Sequence, residues 1–331
     1  MKCSIIIPAY NSGSTISSCL ASALNQSVSK KDYEVILVDD GSIDNTTGIA
    51  EDYSVKIIKQ SNQGPAAARN TGAHEAKGDV LVFTDSDCEI DNKFIETILT
   101  PFEQNQQIVG VQGSYRTKQE QFVARFAQVE IETRYKKMAK NQSIDFIGTY
   151  AAAYEREVFR NCGGFDTCFP QASGEDADFS YKLQKEGYKM IFKRGAFVYH
   201  RHPSTLRKYL RSKFYRGFWR AKLYRKHPQK TVNDSYTPQS LKFQVLSVPL
   251  FILSLALSFF HLAWLLIAMC IVLLFVLSSL PFFRLFNERD YSKALFISPM
   301  LFLRAAALLL GLMFGGLNEL LHSKTKHEVR T

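Results

Sequence analysis

The chain reads as an α/β domain on a mostly parallel sheet, followed by helices that cross a membrane. In its first part, short β-rich apolar runs alternate with helical patterns. Three of those runs end in polar clusters: Pro8-Ala9-Tyr10-Asn11, Asp39-Asp40 and Asp85-Ser86-Asp87. Alternation at this spacing calls for crossover connections and hence for a parallel sheet. In its last part, three long apolar stretches each come near the ~20 residues that a helix needs to span a bilayer.

Residues 4–7 predict a strand that Pro8 stops, and 15–24 have helical spacing. Residues 34–38 predict a second strand ending at Asp39-Asp40-Gly41-Ser42, where Ser42 is placed to cap a helix reaching about Tyr53. A third strand is expected over 55–58, an Ala-rich helix over 64–76 and a fourth strand over 79–83. From 105 to 200 the pattern is less regular. Residues 122–138 predict a charged amphipathic helix, and Gly163-Gly164-Phe165-Asp166 marks a turn. Gly174-Glu175-Asp176-Ala177-Asp178 opens a helix to about Glu186, and 196–199 predict a strand ending at His200.

The apolar stretches lie at 243–260, 262–283 and 294–317. His261 alone separates the first two, which predicts a tight helical hairpin or a kinked span. The third contains Arg304, expected to face other helices rather than lipid. That segment reads either as a third span or as a re-entrant or interfacial helix.

Charge is placed unevenly. The formal net charge is +10, but residues 201–242 alone hold twelve basic side chains against one acid, Asp234. This local excess flanks the first span. It argues against a nucleic-acid partner and for anionic membrane lipids, and by the positive-inside rule it places the residues before the spans in the cytoplasm. From Leu206 to Lys226, aromatic and leucine positions fall roughly on one helical face amid the basic residues, the pattern of an interfacial helix. The first residues lack the apolar core and cleavage site of a signal peptide. The six cysteines show no CxxC spacing and are expected as thiols in a reducing compartment. The expected divisions are a catalytic domain over 1–200, a basic juxtamembrane segment over 201–242, transmembrane helices over 243–318 and a polar tail over 319–331.

Ligands of open α/β sheets bind outside the carboxyl ends of the strands, so the polar clusters are expected to converge on one crevice. Asp85 and Asp87 suit a divalent cation held against a phosphate, although Asp85 could instead cap a following helix. Asp39 and Asp40 are pure acceptors, fit for a base N–H and a ribose hydroxyl, or for a turn and a cap. Gly64 begins a helix of small residues that could approach an anion closely, and Arg69 could fix a phosphate or a carboxylate. Glu175 and Asp176 open a helix, as a candidate general base or as caps. His200 could ligate the metal or lie on the surface. Dinucleotide and P-loop glycine signatures do not occur.

Taken together, Ile5-Ile6-Ile7-Pro8-Ala9-Tyr10-Asn11, Val38-Asp39-Asp40-Gly41-Ser42, Asn62-Gln63-Gly64-Pro65-Ala66-Ala67-Ala68-Arg69-Asn70, Asp85-Ser86-Asp87-Cys88, Gly163-Gly164-Phe165-Asp166 and Gly174-Glu175-Asp176-Ala177-Asp178 resemble, in order and spacing, the inverting family 2 glycosyltransferases. The resemblance covers about residues 3–200 and implies the GT-A fold. It implies a donor pocket lined by Pro8, Ala9, Tyr10, Asn11, Asp39, Asp40, Gly64, Arg69 and Ser86. It implies a Mg2+ or Mn2+ site at Asp85 and Asp87 with His200, and a base at Asp176 with Glu175 beside it. The donor would be a UDP- or GDP-sugar, and the acceptor a lipid-linked saccharide or a lipid hydroxyl. The Q-x-x-R-W of the processive polymer synthases is missing; the nearest stretch is Tyr215-Arg216-Gly217-Phe218-Trp219. A polyprenyl-phosphate sugar transferase and a non-catalytic nucleotide-binding scaffold are the alternatives.

Overall fold

The computed structural model describes residues 2–169, 173–287 and 295–328. It forms two compact units. One comprises residues 1–119 and 138–202, the other 120–137 and 203–331.

The first unit is an eight-stranded mixed sheet with helices. Its first half runs β1 (Cys3–Ala9), α1 (Ile16–Leu24), β2 (Tyr33–Asp39), α2 (Thr46–Glu51), β3 (Lys56–Lys59), α3 (Pro65–Glu75) and β4 (Val80–Thr84). Then come β5 (Cys88–Ile90), α4 (Phe94–Gln104) and β6 (Ile108–Arg116). Helix α5 (Phe122–Met138) falls almost wholly in the second unit. The first unit closes with β7 (Ala151–Glu155), α6 (Arg156–Asn161), α7 (Glu175–Lys185) and β8 (Lys189–His200).

Sheet order is β3-β2-β1-β4-β7-β6-β8-β5. Strands β3, β2, β1 and β4 are mutually parallel, with Ala9 beside Asp39 and Ile6 beside Phe83. All seven residues of β1 and all five of β4 are buried. A strand covered on both faces has no use for alternation, which is why these segments read as unbroken apolar runs. From β1 the chain builds outward through β2 and β3, then returns to add β4 on the other side. That reversal makes the β1/β4 boundary a topological switch point. Strands β6 and β7 lie in the stretch where the sequence pattern is irregular, and β5 is a short strand before it that the pattern does not show. They pair mainly antiparallel, and β8 is far longer than the four residues expected of it.

Two local features set the loops at the switch point. Asn11 adopts φ 50°, a conformation that asparagine tolerates better than most residues. Its Oδ1 accepts from Ile43 N–H at 2.9 Å, while its own N–H donates to Ser42 Oγ at 2.9 Å. Ser42 is therefore not the expected helix cap. Its hydroxyl serves Asn11, and α2 begins later, at Thr46. Gly64, at φ 91°, turns the chain into α3, and Pro65 occupies the first helical position, where its missing N–H costs nothing.

The second unit joins α5 to α8 (Leu206–Lys226), α9 (Gln239–Leu257), α10 (Ala263–Asn287) and α11 (Ile297–Glu328). Phe126, Val129, Tyr209, Phe282, Phe286 and Leu301 belong to its core. Glu130, 1% exposed, is tied within it to Arg134 Nη2 at 2.7 Å, Lys213 Nζ at 2.7 Å and Tyr209 Oη at 2.8 Å. Burial opposes its charge, but Lys213, Arg304 and Arg134 outweigh it and hold the carboxyl well below the usual carboxylate range. Arg304 is buried as expected, donating to Gln244 Oε1. Three helices among the described residues are long and apolar enough to cross a membrane: Gln239–Leu257, Ala263–Phe286 and Ile297–Leu321.

Candidate active site

A cavity of about 490 Å³ opens at the switch point, outside the carboxyl ends of β1 to β4. It is lined by Pro8, Ala9 and Tyr10 after β1, Asp40 after β2, Asn62 and Gly64 after β3, and Asp85, Ser86 and Asp87 after β4. Pro65, Ala68 and Arg69 contribute the first turns of α3. Small residues here keep the helix N-terminus open to an anion.

Most of the expected donor residues line this space. Asp39 and Asn11 do not. Both Asp39 oxygens face the loop before α2, accepting from Ser42 N–H at 3.0 Å and from the Thr47 hydroxyl. Asp40 accepts from Gln60 Nε2 at 2.7 Å, Gln63 N–H at 2.9 Å and Gly64 N–H at 2.8 Å. It thereby clamps the loop that presents Gly64 to the cavity. Ser86 Oγ lies 2.7 Å from Ser12 Oγ. Asn62, Pro65 and Ala68 are wall residues that motif reading passed over, although all three stand in the quoted stretch from Asn62 to Asn70.

Arg69 is the hub of the site. Its side chain is 1% exposed, with Nη2 2.7 Å from Asp85 Oδ1 and Nη1 2.8 Å from Glu175 Oε1. Burial works against its charge, but Asp85 and Glu175 raise its pKa and keep it ionised. It fixes two carboxylates rather than leaving its guanidinium to a phosphate. Glu175 is equally buried and also accepts from Ser173 N–H at 2.9 Å. Burial and the neighbouring Asp176 charge push its carboxyl up to about 7, against the pull of Arg69. The adjacent Asn70 works in parallel, exchanging hydrogen bonds of 2.8 and 2.9 Å with the backbone of Phe165. Phe165 packs on Phe83, the residue just inside the end of β4. Thus α3 joins the β4 aspartates to α7 and to the Gly163-Gly164-Phe165 turn.

Helix α7 starts after Gly174, at φ 136°, a backbone conformation that excludes most side chains. This turn puts Glu175 inward and leaves Asp176 half-buried in the first helical turn, with Oδ1 accepting from Ala177 N–H at 2.7 Å. Of the two expected acids, Asp176 is the less buried.

The ligand atoms of Asp85, Asp87 and Cys88 lie within 4.8 Å of one another. Cys88 is fully buried, and burial together with Asp85 and Asp87 pushes its thiol well above its ordinary value. A protonated thiol is no ligand for a hard cation, so the two carboxylates are the residues that could hold one, and oxygen donors fit Mg2+ or Mn2+. His200 reaches this group through Asp87, Nε2 to Oδ2 at 3.3 Å. Burial opposes the Asp87 charge, but the bond to His200 prevails and holds the carboxyl below its usual range. The His200 ring stacks on Tyr115 at 4.4 Å, and Tyr115 on Tyr150 at 3.6 Å, which fixes its plane. Neither tyrosine was legible as a support, since each lies at least 50 residues from His200 in the chain.

Comparison with known proteins bears on the family and the fold. Residues 4–163 match the profile of glycosyl transferase family 2. The uncharacterised glycosyltransferase EpsJ of Bacillus subtilis is 32% identical over 219 residues, covering 61% of this chain and 62% of that protein. A cholesterol galactosyltransferase of Borreliella burgdorferi is 37% identical over 102 residues, 29% of this chain and 28% of its own. The match thus spans less than two thirds of either relative. Among solved structures, the mannosyltransferase PcManGT of Pyrobaculum calidifontis, in complex with GDP-Man and Mn2+, superposes with a TM-score of 0.61 at 20% identity. That likeness covers 95% of this chain and 86% of that one, and at such identity it is a likeness of fold. Sequence profile and backbone together make residues 4–163 a glycosyltransferase family 2 domain on the GT-A fold, carried by a chain that ends in helices apolar enough to anchor it.

Proposed function

We propose that the chain is an inverting transferase that moves a sugar from a UDP- or GDP-sugar to a hydroxyl of a lipid-linked saccharide or of a lipid, on the cytoplasmic face of a membrane. The supporting observation is the single hub at Arg69, which joins the aspartate pair on the donor side to the helix that carries Asp176. Pro8, Ala9, Tyr10, Asp40, Gly64 and Ser86 border the nucleotide, while Asp39 and Asn11 hold the loops that shape its pocket. Asp85 and Asp87 would hold the divalent cation, with His200 orienting Asp87. When bound, such a cation stabilises charge on a departing nucleoside diphosphate. Asp176 accepts the proton of the acceptor hydroxyl as that oxygen attacks the anomeric carbon. Glu175, enclosed by Arg69 and Ser173, positions the hub and does not touch substrate.

The presence of a base favours a hydroxyl acceptor. A polyprenyl phosphate is already ionised near neutral pH and needs no proton removed. The cholesterol galactosyltransferase relative, whose name gives a lipid as acceptor, supports the same reading. The basic run before the first span supports the cytoplasmic side.

The test is a panel of nucleotide-sugars with Mg2+ or Mn2+ and extracted membrane lipids, reading which diphosphate is released and which lipid gains mass. Asp176→Asn is expected to lower transfer by roughly 10²- to 10⁴-fold while donor binding persists. Unchanged turnover would remove Asp176 from its role, and product on a polyprenyl phosphate would favour the other acceptor class.

A further inference from the structure

By length and hydropathy, α9, α10 and α11 are equivalent. Their surroundings are not. On α9, Leu246, Leu250, Leu253 and Leu255 are exposed on several sides, and on α10 the consecutive Trp264, Leu265, Leu266 and Ile267 are exposed all round the helix. Helix α11 exposes its apolar residues on one side only: Leu303, Met313, Phe314, Leu317, Leu320 and Leu321 fall within about a third of its circumference. On its other face Leu301, Arg304, Ala305 and Leu308 are buried.

The cover over much of that face is α8, and the two helices touch backbone to backbone. A Cβ on Gly311 would fall 2.0 Å from the Phe214 carbonyl oxygen, and one on Gly315 would fall 2.2 Å from that of Phe218. From the α8 side, a Cβ on Gly217 would fall 2.3 Å from the Leu308 carbonyl oxygen. Phe214 meets Gly311 and Phe218 meets Gly315, so the helices run parallel in step. Both ends are pinned. Near the start, Lys213 and Arg304 share Glu130, at 2.7 and 3.9 Å. Near the finish, Arg225 Nη1 lies 3.2 Å from Glu319 Oε2.

Between those pins α11 advances 15 residues, about 22 Å along its axis. Over the same distance α8 carries Lys213, Arg216, Arg220, Lys222 and Arg225. If α11 crossed the bilayer, it would draw these five cations through hydrocarbon, where each is costly. Lying flat, the pair meets no such cost. The apolar stripe of α11 enters the acyl boundary, and the basic residues of α8 stay at headgroup level.

We infer that α11 does not cross the membrane: α8 and α11 form a two-helix raft in the plane of an anionic leaflet, and α9 and α10 are the crossing elements among the described residues. The chain after α11 then stays on the side that carries α8. This rests on the reading of the chain as membrane-anchored, and the controls separate the two.

The experiment uses the full chain, with Cys168 and Cys270 replaced by serine, in vesicles of phosphatidylcholine and phosphatidylglycerol at three to one. Nitroxide labels at Leu303→Cys, Leu310→Cys and Leu317→Cys are read for depth by their relative collision rates with oxygen and a polar nickel complex. A raft gives three similar depths. A span gives a gradient of about 21 Å from 303 to 317, and that gradient overturns the inference. Labels shielded from both quenchers would mean that a second copy covers the stripe, which also overturns it. Labels at Leu246→Cys and Leu253→Cys on α9 should differ in depth by about 10 Å. If they contact water equally, the anchoring itself is wrong. Epitopes before Met1 and after Thr331 should be digested or protected together by added protease; opposite outcomes refute the raft.

Discussion

Replacing Arg69 with methionine removes one buried charge and leaves two carboxylates behind. Arg69 and Glu175 are each 1% exposed, and the two ion pairs of Arg69 measure 2.7 and 2.8 Å. Hydrogen bonds to charged groups are worth about 1.5–3 kcal/mol each, and breaking a buried pair by truncating one partner costs about 3–5 kcal/mol. Asp85 keeps access to solvent, so most of the loss falls on Glu175, which can protonate and limit it. The expected cost is therefore about 3–4 kcal/mol, a large share of a stability of roughly 5–15 kcal/mol. For a domain of this size 1 kcal/mol moves Tm by about 2–4 °C, so the variant should melt roughly 10 °C below the parent. The assay is thermal unfolding of the detergent-solubilised chain, followed by circular dichroism and by tyrosine fluorescence, because both tryptophans, Trp219 and Trp264, lie in the second unit. The double variant Arg69→Met with Glu175→Gln removes both charges and should regain about half of the loss, since a buried pair replaced on both sides is far less costly than one broken on one side. A single variant melting within about 2 °C of the parent, or a double variant with simply additive losses, would show that Arg69 does not hold Glu175 in the way described.

Glu175 also sets a pH dependence. Its folded pKa of about 7 lies above its ordinary 4.5, so the folded chain holds an extra proton between those values. Its contribution is fully present below about pH 4.5 and is lost as pH rises through 7, by roughly 3 kcal/mol at 1.36 kcal/mol per pKa unit. The difference in Tm between the parent and Glu175→Gln should therefore shift in favour of the variant from pH 5 to 8; a constant difference would contradict the raised pKa. Asp87→Asn is expected to weaken Mn2+ binding at least tenfold, and His200→Gln, which loosens Asp87, by 10- to 100-fold; titration calorimetry giving parental affinity for both would exclude the site. Gly311→Ala should destabilise by about 1–2 kcal/mol, because its Cβ meets backbone rather than a yielding side chain. Gly316→Ala, with nothing within 4 Å of its Cβ, should stabilise by about 0.5–1 kcal/mol through helix propensity. Equal melting shifts for the two glycines would refute the close packing of α8 on α11.

Residues up to the end of β4 were legible because their determinants are local. A strand buried on both faces must be continuously apolar, so β1, β2 and β4 stand out in the sequence, and the residues just after each of these parallel strands must lie at one edge of the sheet. Asp85 and Asp87 were readable as a site for that reason alone. Strands β5 to β7 were not: β5 has three residues, β6 is broken by two glycines and a glutamine, and β7 is mostly alanine, so none leaves such a run. Ser42 carried a local signal for a helix cap, and a contact with Asn11, 31 residues away, overrode it.

The sequence by itself determined the fold class, the strand ends that border the cavity, the positions of the apolar helices and the basic charge before them. These come from periodicity and composition, which act over a few residues. Tertiary structure alone decided which of two acids is drawn into the interior. Glu175 and Asp176 are chemically alike and adjacent, and only Arg69, 106 residues away, takes one of them inward. It alone separated α11 from α9 and α10, since hydropathy counts the residues of a helix but cannot see the basic helix packed along it. Where the deciding interaction joins distant residues, neighbours in sequence carry no trace of it.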